Sequence, residues 1–152
     1  SSNMKICLVS SSGGHLIQLY ALRPWWQKHE RFWVTFKKED AVSILNDEKT
    51  YWAHFPTNRN MKNFVKNLFL AYRILRKERP DIIISTGAGV SVPFFWLGKL
   101  FGSRLIYMEV FDRIDSPTLT GKLVYHFTDK FLIQWESQKV FYPKGEYWGQ
   151  AL

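Results

Sequence analysis

The segment Lys5-Ile-Cys-Leu-Val-Ser-Ser-Ser-Gly-Gly-His15 constrains the fold of this chain more than any other. An apolar run of strand length ends in a turn of small residues, and His15-Leu-Ile-Gln-Leu-Tyr20 then continues as a helix. A strand that feeds a helix through a glycine turn is the opening unit of a parallel α/β sheet. The unit recurs downstream, where the apolar strand Asp81-Ile-Ile-Ile84 enters a second small-residue loop, Ser85-Thr-Gly-Ala-Gly-Val-Ser91. Both loops bring backbone N–H groups to a helix start with no bulky side chain in the way, which is how such proteins build an anion site.

Between and beyond these units the pattern alternates strand and helix, with no repeat, low-complexity segment or linker, and predicts one domain over residues 4–152. Ser1-Ser-Asn3 ahead of Met4 reads as a cloning remnant. Strands are expected at 5–10, 31–36, 51–55, 81–85, 104–110 and 130–135. Helices are expected from Gly14 with a disturbance at Pro24, around 40–45, through the glycine loop to Leu100, and at about 118–127. Asn60 can cap a long helix whose Met61, Phe64, Val65, Leu68, Tyr72 and Leu75 read as its core face, with Pro80 as its stop. Six strands joined by right-handed crossovers imply a doubly wound parallel sheet of order 3-2-1-4-5-6. Strands one and four are then neighbours at the switch point, and the two glycine loops share one crevice.

Composition narrows the partners. The formal net charge is +8, from 21 Lys+Arg against 13 Asp+Glu, which favours an anionic partner such as an acidic lipid surface, a phosphorylated substrate or nucleic acid. No nucleic-acid reader motif accompanies the charge. The one cysteine, Cys7, lies inside the first strand, so an internal disulfide is excluded and a reducing compartment fits. The longest apolar stretch, Val90 to Leu100, is interrupted by Pro93 and Gly98 and is too short to span a bilayer. Aromatic residues make up 17% of the chain; Trp25-Trp26 beside Lys28, and Phe95-Trp96 beside Lys99, suit a peripheral contact with an anionic membrane or else the core.

Specific side chains follow. Ser11, Ser12, Gly13 and Gly14, with Gly87, Ala88 and Gly89, would present donors to an anion, or serve tight turns that need small residues. His15 can donate to a phosphate, act as a general base, or be structural. Glu109 follows strand five and is the best carboxylate candidate for a base, while Arg113 can meet a phosphate; a loop with local ion pairs is the plainer alternative. The first loop lacks the G-x-G-x-x-G order of dinucleotide enzymes and neither loop carries Gly-Lys-Ser/Thr, so nicotinamide and P-loop chemistry are set aside. No His/Cys cluster suggests zinc, and no metal or cofactor is expected. The aromatic tail Phe141 to Leu152 carries no strand or helix pattern, and Tyr147, Trp148 and Leu152 are candidate partner contacts, or fold back onto the domain.

Ser11-Ser-Gly-Gly-His15, Ser85-Thr-Gly-Ala-Gly-Val-Ser-Val-Pro93 and Tyr107-Met-Glu-Val-Phe-Asp-Arg113 resemble the PssD-type subunit of bacterial exopolysaccharide synthesis. They are similar also to the membrane-anchoring acceptor subunit of the eukaryotic dolichyl-diphosphate N-acetylglucosaminyltransferase, and more distantly to the N-terminal half of MurG. The resemblance covers Met4 to Leu152 and implies the N-terminal, acceptor half of a GT-B glycosyltransferase. Such a subunit recruits a catalytic, donor-binding partner of the PssE type. The pair moves a sugar from a UDP-sugar to a polyprenyl-diphosphate-linked acceptor at the cytoplasmic face of the plasma membrane, in exopolysaccharide or capsule assembly. On this resemblance the acceptor diphosphate sits on the two glycine loops and Arg113, and His15 or Glu109 is the base. The tail of the related subunits docks on the partner. The eukaryotic relatives carry an N-terminal membrane helix, whereas Met4 leads straight into strand one, so peripheral attachment is expected. The alternative is a non-catalytic anchor or enhancer that brings the true transferase to the membrane.

Overall fold

The computed structural model describes residues 4–11, 14–54, 61–86, 90–108, 130–133 and 146–147, with 14–15, 130–133 and 146–147 described as backbone. In chain order the elements are β1 (Lys5–Val9), α1 (Gly14–Tyr20), α2 (Arg23–Trp26), β2 (Glu30–Phe36), α3 (Glu39–Ile44) and β3 (Thr50–Ala53). There follow α4 (Met61–Glu78), β4 (Ile82–Ser85), α5 (Ser91–Phe101), β5 (Arg104–Met108), β6 (Lys130–Ile133) and β7 (Glu146–Tyr147). The disturbance read at Pro24 is a break: α1 stops at Tyr20, and Pro24 lies in the first turn of the separate α2, where its missing N–H leaves no bond unmade. The helix expected at about 118–127 lies outside the described residues.

All strands are parallel, in the order β3-β2-β1-β4-β5-β6-β7. The doubly wound sheet expected from the strand–helix alternation is present, with one strand more. Tyr147 of β7 lies beside Ile133 of β6, so part of the tail returns to its own sheet. A strand of two residues carries no alternation, which is why it has no signature in the sequence.

Strand alternation sends side chains into two cores. Cys7 and Val9 of β1, Phe32 and Val34 of β2 and Ile83 of β4 pack under α4 and α5; Ile6, Leu8, Trp33 and Ile84 pack under α1, α2 and α3. Helices change face where the strand order reverses, as right-handed crossovers require. On the first face, Trp26 meets Trp33 edge-on with ring centroids 5.2 Å apart and donates its indole N–H to the Leu19 carbonyl at 3.2 Å. On the second, Gly98 lets α5 lie directly on β4, since a Cβ there would stand 2.5 Å from Ile83 Cδ1. Gly102 then ends α5 in the left-handed region (φ 84°), with the Ser103 N–H on the Gly98 carbonyl at 3.0 Å and its own on Lys99 at 3.2 Å. This is the Schellman arrangement that only glycine adopts without strain.

The long helix α4 keeps part of its sequence reading, with Leu75 buried and Phe64 packed against the core, and departs from the rest. Its core face is Asn67, Ala71, Ile74, Leu75 and Glu78, whereas Met61, Val65 and Tyr72 are exposed. Two buried polar residues set this rotation. Asn67 exchanges a reciprocal pair of hydrogen bonds with the backbone of His54 (2.8 and 3.1 Å), and Glu78 is drawn to Lys5, Lys49 and Tyr51. A buried amide or carboxylate must find its partners, and that requirement outweighs exposing apolar side chains one at a time.

Candidate functional site at the switch point

β1 and β4 lie side by side, with Val9 paired to Ser85, so both glycine-bearing turns leave the carboxyl edge of the sheet at adjacent strands. α1 begins at Gly14 and α5 at Ser91 on opposite faces of that edge. This is the position at which open α/β sheets hold ligands. The side chain of Ser85, closing β4, hydrogen-bonds to Ser91, opening α5, which pins the two ends of the second loop together.

The described residues also assemble a feature missed in the sequence. Ser10, Thr35 and Thr86 each follow a strand position whose partner is known: Val9 pairs with Val34 and with Ser85. One step further, these three hydroxyl residues lie abreast across β2, β1 and β4. By alternation from Leu8, Trp33 and Ile84 they share the face covered by α1. All three are fully buried, and the Ser10 and Thr35 hydroxyls have no hydrogen-bond partner among the described residues. Unmatched hydroxyls in a dry core are uncommon, and at the edge of a binding crevice they are available donors. The signal was present as a small hydroxyl residue closing each apolar strand, but single serines and threonines at strand ends are too common to single out.

Of the residues expected to bind a diphosphate, Ser11 is half-buried just beyond β1, and Gly14 opens α1. Ser12, Gly13, Gly87, Ala88, Gly89 and Arg113 lie outside the described residues, as does Glu109, which follows the last residue of β5. His15 is in the first turn of α1, known here by its backbone. Tyr147 is in β7, while Trp148 and Leu152 lie outside the described residues. Among the described residues there is no group of three His, Cys, Asp or Glu side chains fit to hold a metal ion. The Cys7 thiol is wholly buried, and burial pushes it well above its ordinary value, so it is an apolar filler rather than a nucleophile.

The membrane aromatics require correction. Trp26 is 1% and Phe95 0% exposed, so neither reaches a surface. Trp26 fills the space between α2 and β2, and Phe95 packs edge-on against Tyr107 with centroids 5.9 Å apart. A ring that size is worth more in a core than at a wet interface. Their neighbours Trp25 and Trp96 are half-buried, against His29 and Phe64 respectively. No helix among the described residues is long and apolar enough to cross a membrane.

Known proteins match this geometry. Acinetobacter baumannii MurG superposes with a TM-score of 0.75 at 14% identity over 88% of this chain and 42% of its own. A UDP-GlcNAc 2-epimerase from Neisseria meningitidis bound to UDP-GlcNAc gives 0.72 at 13% identity, over 94% and 45%. The chain thus spans less than half of each of these two solved chains, and its Rossmann-like sheet is that of the N-terminal half of the GT-B architecture. By sequence it is 32% identical to the UDP-N-acetylglucosamine transferase subunit ALG14 of Debaryomyces hansenii, over 97% of this chain and 75% of that protein. The rat protein of the same name is 24% identical over 99% and 84%; the human match covers 57% of this chain and 43% of the human protein. The family described as Oligosaccharide biosynthesis protein Alg14 like matches residues 6–151, and the chain belongs to it.

Proposed function

We propose that this chain is the acceptor-binding, partner-recruiting subunit of a two-component inverting glycosyltransferase. The observation that carries the reading is the pairing of β1 with β4, the two strands that lead into the glycine-bearing segments, in a chain matching the Alg14-like family over residues 6–151. The donor is a UDP-sugar held mainly by a separate catalytic subunit of the PssE type, and UDP-N-acetylglucosamine, named in the relatives, is the first to test. The acceptor is a polyprenyl-diphosphate-linked glycan of exopolysaccharide or capsule assembly, at the cytoplasmic face of the plasma membrane. The PssD-like motifs support that setting.

In this reading Ser11, Ser12, Gly13, Gly14 and the Gly87–Gly89 loop hold the acceptor diphosphate at two helix starts, with Arg113 neutralising it. His15 or Glu109 takes the proton from the acceptor hydroxyl. The resulting oxyanion attacks the anomeric carbon from the face opposite UDP, the glycosidic bond forms as the bond to UDP breaks, and the configuration inverts. No metal or cofactor is invoked. Tyr147, Trp148 and Leu152 lead the partner contact.

The test is transfer of radiolabelled UDP-sugars to lipid-linked acceptor by this chain, by the partner subunit, and by both together. Activity only from the pair, lowered about a hundredfold in His15→Ala or Glu109→Gln chains that still bind the partner, supports the reading. Full activity from the partner alone makes this chain an anchor or enhancer instead.

A further inference from the structure

We infer that the open edge of β3, with the groove between it and α4, is a docking site for an extended, acidic segment of a partner protein. β3 is the outermost strand on its side of the sheet. Along a strand the main-chain N–H and C=O groups of successive residues point alternately to one side and the other. The Trp33 N–H bonds to the Lys49 carbonyl at 2.9 Å, so Lys49, Tyr51 and Ala53 turn these groups toward β2. Thr50, Trp52 and His54 therefore turn theirs outward. Of these three, His54 is capped: its N–H and C=O exchange hydrogen bonds of 2.8 and 3.1 Å with the buried side-chain amide of Asn67. That amide stands where a peptide group of a further strand would stand. The outward main-chain groups of Thr50 and Trp52 have no such cap among the described residues, and both residues are half-buried.

Charge and spacing identify the occupant. Beside the uncapped stretch runs an open groove, floored by Tyr51 of β3 with Leu70 and Ile74 of α4, and rimmed by the exposed Arg73 and Lys77. Neither cation forms an ion pair among the described residues. Glu78, the one acid of α4, is buried and engaged by Lys5 and Lys49. Arg73 and Lys77 are about one helical turn apart, or about 6 Å along α4. Alternate residues of a strand are about 6.6 Å apart, so acids at every second position of an added strand reach both cations. The residues between them turn to the opposite face of the sheet, beside Trp52 and the second core, where apolar side chains fit. Strand addition of this kind draws affinity from main-chain hydrogen bonds and specificity from alternate side chains. A second copy of the chain, paired through the same edge, would bring like cations to both sides of the junction.

The site is separate from the candidate crevice. β2 stands between β3 and β1, and the uncapped stretch ends before His54, short of the carboxyl edge at which β1 and β4 lead into the glycine-bearing segments. A segment seated on β3 leaves that edge clear, so this inference goes beyond the proposed transferase and stands without it.

Fluorescence anisotropy of a labelled octapeptide of alternating glutamate and valine, titrated with the full chain, tests the site. Saturable one-to-one binding is expected, and it should weaken with salt. The Trp52 amide should gain protection from hydrogen exchange on binding, while that of Tyr51, which faces β2, does not change. Arg73→Glu/Lys77→Glu should weaken binding by about tenfold or more, whereas Val42→Glu on the opposite layer leaves it intact. Far-UV circular dichroism confirms that each variant folds, and a second test needs no variant. Backbone N-methylation of the peptide should weaken binding about tenfold on one alternate set of residues and not on the other, because only one set faces β3. Equal binding of the two N-methylated peptides would mean attraction by charge alone and overturn the inference. So would no binding by the wild type, full binding by the Arg73/Lys77 variant, or a dimer of this chain that occupies the edge and is broken by the same substitutions.

Discussion

The ammonium of Lys5, the first residue of β1, lies 2.5 Å from a carboxylate oxygen of Glu78, the last residue of α4. Glu78 also receives Lys49 Nζ at 2.7 Å and the Tyr51 hydroxyl at 2.5 Å, so one buried carboxylate ties the central strand and the edge of the sheet to the long helix.

Burial alone would push this carboxyl up; hydrogen bonds from Lys49, Lys5 and Tyr51 outweigh it and hold Glu78 at about 2, below the ordinary 4.5. A depressed carboxyl stabilises the fold above its unfolded value, and that contribution is lost as pH falls from 4.5 toward 2. Glu78→Ala, which strands the cations, is expected to lower stability by about 3 kcal/mol at neutral pH and to flatten the acid limb. Urea unfolding between neutral and acid pH reads both effects, and an unchanged acid limb would refute the assignment. Tyr51, pushed up to about 12 by burial and by the Glu78 hydrogen bond, should titrate nearer 10 in that variant.

Gly98→Ala tests the close approach of α5 to the sheet. The new methyl must displace Ile83 and Leu105, both fully buried, so stability should fall by about 1–2 kcal/mol despite the better helix propensity of alanine. A thermal midpoint equal to or above the wild type would show that the two elements can part without loss.

Ser10→Ala and Thr35→Val should behave in the opposite sense. Each removes a buried hydroxyl with no partner, so stability is expected to hold or rise by about 1 kcal/mol. If these hydroxyls serve the crevice, transfer to the lipid-linked acceptor falls while the protein grows no weaker. A clear loss of stability would mean that they are satisfied in the folded protein.

Removal of residues 148–152 leaves β7 and its pairing with β6 in place. Co-purification with the proposed catalytic partner is expected to fail while thermal unfolding stays within about 0.5 kcal/mol of the full chain, as for other surface changes. Undiminished co-purification would move the partner contact elsewhere.

The strand–loop–helix units at Lys5 and Asp81 were legible because buried parallel strands are continuous apolar runs and their turns need glycine. With the strand–helix alternation along the chain, they led to the doubly wound sheet, its order through six strands, and β1 beside β4. What the sequence could not disclose were relations between residues distant along the chain. Trp25 and Trp26 are adjacent and chemically identical, yet only Trp26 lies under Trp33; nothing local distinguishes them. The face of α4 was read only in part, through Leu75 and Phe64, because helical spacing reports that a stripe exists, not which way it turns. Asn67 and Glu78 decide the turn by finding partners on other elements. The row of Ser10, Thr35 and Thr86 exists only once three strands are in register. By itself the sequence determined the periodicity and the turns, which are properties of neighbouring residues. Rotation, burial and alignment were decided by tertiary structure, because they depend on desolvating polar groups against partners that the chain brings from far away.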